Sequence, residues 1–200
     1  IRRVAQQLGI DAEEHLASSA QSMTPSARVL SRSGNKISPG PDRAAIAEAA
    51  KMSPSDRQEF IRSMVQRLAD RLEDQPDDFD GWMRLGRAYG VLRKNTEAAR
   101  AYGRAVDLRP MDPGPLDTQV AILIKLTTPD QPIPETTLAI LRKLEALQPD
   151  NRQALWFLGM ADAAAGRRSK AIIRWERLHD LLPSKSQERA RIKAAIDQLE

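Results

Sequence analysis

The chain has 200 residues and a mass of 22.3 kDa, room for one domain of ordinary size with a tail. It contains no cysteine, which excludes disulfides, thiolate metal sites and thiol nucleophiles. The formal net charge is +4, but basic and acidic residues are interleaved, as in "RQEFIRSMVQRLADRLED". Such patterning describes a solvated mixed-charge surface and not a nucleic-acid footprint.

Residues 1–19 allow at most a short amphipathic helix, with Val4, Leu8 and Leu16 as its sizeable apolar positions. From Ser18 to Pro41, "SSAQSMTPSARVLSRSGNKISPGP" is rich in Ser, Pro and Gly and has no helical or strand period, the composition of a linker. All eight aromatic residues fall between Phe60 and Trp175, so the N-terminal part has little with which to build a core. Residues 1–41 are therefore expected to be a flexible tether, and residues 42–200 the folded domain. Within the latter, "VAILIKL" from Val120 is the most hydrophobic run, and Lys125 interrupts it. It falls far short of the ~18–20 apolar residues of a membrane span.

Residues 42–76 read as lead-in helices, first the brief Ala-rich "DRAAIAEAAKM" and then a longer one. The second has a clear start: Ser53 can cap, Pro54 suits the first helical position, and Asp56 stands where a capping-box acid would. Phe60, Ile61, Met64, Val65, Leu68 and Leu72 follow at steps of three and four, which predicts one apolar face, and Pro76 ends it.

The next stretch, "DGWMRLGRAYGVLRKNTEAARAYGRAVDLRP", places Trp82, Leu85, Gly86 and Tyr89 on one predicted helix and Ala98, Tyr102 and Ala105 on another, with Pro110 after it. Gly86 and Ala98 are small where two antiparallel helices would cross closely, and the aromatic residues fill the space around the crossing. This spacing resembles a tetratricopeptide repeat (TPR) over residues 79–112. The frame returns over 152–185 with Leu155, Leu158, Gly159, Ala171, Trp175, Leu178 and Pro183. Between them, 113–151 reads as a degenerate repeat begun by Leu116, Val120 and Leu123 and finished by Leu138, Leu141, Leu144 and Pro149. Its "TTPDQPIP" enlarges the inter-helix turn by about five residues relative to the repeat period. Ser184 with Gln187 offers a capping box for a last helix over 185–199, striped by Ile192, Ala195, Ile196 and Leu199. The expected fold is all-α: a TPR helical-hairpin superhelix with an N-terminal lead-in helix and a C-terminal capping helix. Neighbours and caps are needed because no single repeat buries its apolar face alone.

Little in the sequence suggests catalysis. His15 and His179 are its two histidines, no metal-ligand cluster stands out, and "GRAYG" lacks the strand-turn-helix setting of a phosphate loop. An enzyme and a nucleic-acid-binding helical repeat are thus the lesser alternatives, and no cofactor is expected. A binding surface remains. In a TPR stack the first helix of each repeat lines the concave groove, and by offset the inward residues are Met83, Arg87 and Gly90, then Asp117, Ala121 and Ile124, then Trp156, Met160 and Ala163. Met83, Arg87, Asp117, Ile124, Trp156 and Met160 are accordingly the candidate contacts, an apolar floor with a charged margin that suits an amphipathic helix. Met and aromatic residues at helical spacing also suit a core, which leaves Trp156 and Met160 with two roles open. TPRs that clamp a C-terminal carboxylate carry Lys and Asn at the positions of Met83 and Arg87, so that mode is not expected.

The run "MSPSDRQEFIRSMVQRLADRLEDQPDDFDGWMRLGRAYGVL", in which the capped helix leads into the first repeat, is similar to the periplasmic domain of the CcmI (CycH) family of c-type cytochrome biogenesis proteins. The resemblance continues through "QPDNRQALWFLGMADAAAGRRSKAIIRWERLHDLLP" and covers about residues 42–200. It implies a subunit that holds apocytochrome c by its C-terminal helix, as holdase and adaptor, while partner subunits of the haem lyase complex attach haem. It also implies a periplasmic domain of an inner-membrane protein, tethered through 1–41 to an anchor upstream of Ile1. A generic TPR scaffold of another envelope or cytosolic complex is the alternative.

Overall fold

The structure is a computed structural model that describes residues 51–128 and 131–200. The expected tether and the Ala-rich stretch up to residue 50 lie outside the described residues. Among the latter run eight helices and no strand: α1 (Pro54–Asp74), α2 (Phe79–Val91), α3 (Asn95–Leu108), α4 (Pro113–Leu126), α5 (Glu135–Leu147), α6 (Arg152–Ala164), α7 (Arg168–Leu181) and α8 (Gln187–Asp197). Each packs on the next in chain order, so α2/α3, α4/α5 and α6/α7 are three stacked hairpins between α1 and α8. This is the TPR helical superhelix.

Five of the eight helices, α1, α2, α4, α6 and α8, start at a side-chain cap, whereas α3, α5 and α7 have none. Ser53 accepts the Asp56 N–H at 3.2 Å and donates its hydroxyl to the Asp56 carboxylate at 2.7 Å, with Pro54 in the first turn of α1. The first helix of each hairpin is capped alike: Asp78 accepts from the Gly81 N–H, Asp112 from Gly114 and Asn151 from Ala154, at 2.8, 2.9 and 3.0 Å. A cap of this kind stabilises by ~1 kcal/mol. The step from Asp78 to Asp112 is 34 residues and that from Asp112 to Asn151 is 39. The five additional residues all lie between α4 and α5, where the connection runs from Thr127 to Pro134 and is held inward by Ile133, 7 % exposed.

The other two hairpin turns are tight and alike. Arg93 and Gly166 occupy the same place in them and both take positive φ, 57° and 73°. The next N–H in each case returns to the helix it has left, Lys94 to the Tyr89 carbonyl at 2.9 Å and Arg167 to that of Asp162 at 2.8 Å. This is the left-handed closure that terminates helices, which glycine adopts without strain and arginine does not.

Hairpins close at small-against-large crossings. A Cβ on Gly86 would stand 2.8 Å from the Tyr102 ring, and one on Gly159 would run into the Trp175 indole. The corresponding positions of the middle hairpin carry Val120 and Leu141, both fully buried, an aliphatic pair in place of glycine against an aromatic ring. The core is divided accordingly. Val65, Leu72, Leu85 and Ala101 join α1 to the first hairpin, and a larger cluster runs from Val106 to Ile196.

The C-terminal cap differs from expectation. Ser186, not Ser184, caps α8, accepting from the Arg189 N–H at 3.2 Å. The Ser186 N–H itself closes a turn on the Pro183 carbonyl at 3.0 Å, so the chain is still turning at Ser184 and the first orphan helical donors come two residues later. Ile192, Ala195 and Ile196 are nonetheless buried as the stripe predicts.

Candidate functional site

The first helices carry all six candidate contacts, but the structure separates them by environment. On α2, Met83 is half-buried and Arg87 exposed. Gly90 lies one turn beyond, with nothing within 4 Å of where a Cβ would stand. Val91, four residues after Arg87, is 82 % exposed, the most open large apolar side chain among the described residues. Met83, Arg87, Gly90 and Val91 share one helical face by their steps of three and four. The four form an open strip with a cation at its middle. The offset argument missed Val91, although its spacing from Arg87 was the available signal.

Arg87 also stands close enough to Tyr102 to act on it. Burial raises the Tyr102 pKa above its ordinary value, and the charge of Arg87 opposes that rise. The residue thus flanks the crossing that packs the first hairpin while presenting its side chain outside.

Two expectations are corrected. Trp156 is 0 % exposed and Ile124 7 %, and both belong to the larger core cluster. Trp156 lies in the pairing zone of α6 with α7, stacked on Trp175, so the core role fits it and the groove role does not. Ile124 lies within that cluster, which takes it out of reach of a ligand. Asp117 is half-buried and engaged: the Asn151 side-chain amide donates to its carboxylate at 2.8 Å, tying α4 to the cap of α6.

Met160 is 2 % exposed yet lines a cavity of about 300 Å³ between the long turn and the end of α6. Ile133 and Leu138 line it from one side, and Ala161 and Ala164 from the other. Glu135 and Arg167 are its charged margin. The Glu135 carboxyl is held below its ordinary pKa, first by the hydrogen bond from Arg142 and then by the charges of Arg142 and Arg167. Arg167 in turn donates to Asp162 at 2.6 Å.

Asp162, buried on α6, also accepts from Arg174 of α7, which forms a two-pronged pair with Glu145 of α5 at 2.8 and 3.0 Å. Those bonds, that with Glu145 foremost, hold the Arg174 pKa above its ordinary value. The network fixes α5, α6 and α7 around the cavity. Among the described residues, no group of His, Asp and Glu is arranged to hold a metal ion, and no helix is long and apolar enough to cross a membrane.

Residues 39–189 match the family described as the cytochrome c-type biogenesis protein H TPR domain. A relative named cytochrome c-type biogenesis protein CycH, from Pseudomonas aeruginosa, is 30 % identical over 162 residues, covering 78 % of this chain and 37 % of the relative. Another of that name, from Bradyrhizobium diazoefficiens, is 42 % identical over 72 residues, 36 % of this chain and 20 % of the relative. The matched part of the chain thus spans well under half the length of these relatives. A crystal structure of MamA protein is similar with a TM-score of 0.52 and 15 % identity, covering 76 % of this chain and 85 % of that one, a likeness of fold alone.

Proposed function

The chain belongs to the CycH family of cytochrome c-type biogenesis proteins, and from that premise we propose that it holds apocytochrome c by its C-terminal helix, as an adaptor of haem ligation with no catalysis of its own. The observation that carries this reading is the strip of Met83, Arg87, Gly90 and Val91 on α2. An exposed valine and a half-buried methionine flank an exposed guanidinium there, and the glycine leaves the backbone open to close approach. That combination suits the apolar face of an amphipathic helix with an acidic neighbour.

The absence of cysteine supports the same role, because a holder without thiols forms no mixed disulfide with the thiols of the client's haem-attachment motif. Haem is then the cargo of partner lyase subunits. On the same reading the domain works in the periplasm, anchored to the inner membrane upstream of Ile1. The tether raises its concentration near membrane-bound partners without any new contact.

Since the chain has no cysteine, Val91→Cys supplies a unique handle for an environment-sensitive fluorophore. Saturable change on adding apocytochrome c, and none with a truncated client lacking its last helix, supports the reading. Equal response to both clients counts against it.

A further inference from the structure

The cavity beside Met160 is built by features that the tight hairpins lack. The five additional residues of the middle turn bring Ile133 inward, and the end of α6 faces it with small side chains, Ala161 and Ala164. Alanines there leave the hollow open where longer residues would fill it. Its volume, about 300 Å³, is at the lower end of the ~300–1,000 Å³ of ligand pockets, space for one large side chain and not for a cofactor.

The charges around it are already engaged. Glu135 is paired with Arg142, and Arg167 with Asp162. Away from Glu135 and Arg167 the lining is apolar, with Ile133, Leu138, Met160, Ala161 and Ala164, so an apolar group is what the interior accommodates without leaving a polar partner unsatisfied. The margin is polarised: Glu135 and Arg167, both exposed, carry opposite signs, and the charge of Arg167 is felt at Glu135. A helix lying over the opening meets an acid on one side and a base on the other.

We propose that this cavity is a specificity pocket for the client, taking one large aromatic or aliphatic side chain of an amphipathic helix that carries a basic residue toward Glu135 and an acidic one toward Arg167. The inference rests on the proposed function for the identity of that helix, and on the cavity alone for its chemistry. Anchors of this kind, seated in a preformed pocket, carry most of the energy in helix-in-groove complexes.

Ala164→Phe places a ring at the cavity, and because Ala164 is exposed the fold tolerates it. Ala165→Leu, at an exposed neighbouring position in the lining, is the second variant should the first fail to fold. The probe is a synthetic C-terminal helix of an apocytochrome c, titrated calorimetrically into the unaltered chain and into each variant, with a peptide set in which each large apolar residue is replaced in turn by Ala. At least a tenfold loss of affinity with the filled cavity is expected, together with one peptide residue whose replacement is costly for the unaltered chain and neutral for the variant. Binding at equal affinity to the unaltered and filled chains overturns this inference and leaves the proposed function standing. No binding of the peptide to the unaltered chain overturns both.

Discussion

The indole of Trp175 stacks on that of Trp156, ring centroids 5.8 Å apart and planes inclined by 27°, and its Nε1 donates to the Trp156 carbonyl at 3.4 Å. Gly159 permits this approach, since a side chain there would occupy the space of the Trp175 ring. Both rings are 0 % exposed, so the pair is the central packing of the third hairpin.

Trp156→Ala is therefore a stability substitution. Removal of a fully buried Trp is expected to cost ~3–5 kcal/mol in chemical denaturation, while the folded fraction keeps its client affinity. Weakened binding at unchanged stability would show that Trp156 meets the client after all.

Asp162 is the shared acceptor of Arg167 and Arg174 and is buried. Asp162→Asn removes the charge on which two part-buried guanidinium bonds rest, and loss of such a charge-assisted hydrogen bond costs ~1.5–3 kcal/mol. We expect the lower end, because Arg174 keeps Glu145. Urea unfolding of the variant checks the value, and a loss below ~1 kcal/mol, typical of exposed pairs, would contradict the role assigned to the network.

Arg93 takes φ 57° in a turn where Gly166 is the counterpart. A left-handed conformation costs an L-residue ~1–2 kcal/mol, and glycine's freer unfolded chain offsets ~0.4–1 of it. Arg93→Gly is expected to raise stability by up to ~1 kcal/mol, read as an increased denaturation midpoint at unchanged slope. A lowered midpoint would mean that the Arg93 side chain contributes more than its backbone loses.

Tyr89 and Tyr102 both have pKa values raised above the ordinary 10.0, with desolvation the largest cause in each. The neutral phenol is thus the form that favours folding. Its contribution is fully present below the unfolded value and is lost as pH rises through the folded values. Ultraviolet absorbance titration should show both phenols ionising above their values in denaturant. Titration of both at the denatured value would contradict the packing of the first hairpin.

The sequence disclosed most of the fold because its signals are local. Ser53 caps by itself, and Gly86 and Gly159 mark crossings that only a small residue permits. The Ser186 start was obscured because Ser184 and Ser186 have equal capping chemistry, and the turn on Pro183 decides between them. The binding surface was legible only in part. Offsets along a helix do not say which neighbour covers a residue, so they leave Trp156 open between groove and core, assign the buried Ile124 to the groove and pass over Val91. The cavity was not legible at all, since a long turn announces extra chain but not where that chain packs.

The central claim, that the chain holds the C-terminal helix of an apocytochrome c, is tested most directly by calorimetric titration of the chain with that helix and with a scrambled peptide of equal composition. The account predicts saturable binding of the native peptide alone, weakened about tenfold by Arg87→Ala, as for an interfacial arginine contributing ~1–2 kcal/mol. Equal binding of both peptides, or of neither, would contradict it.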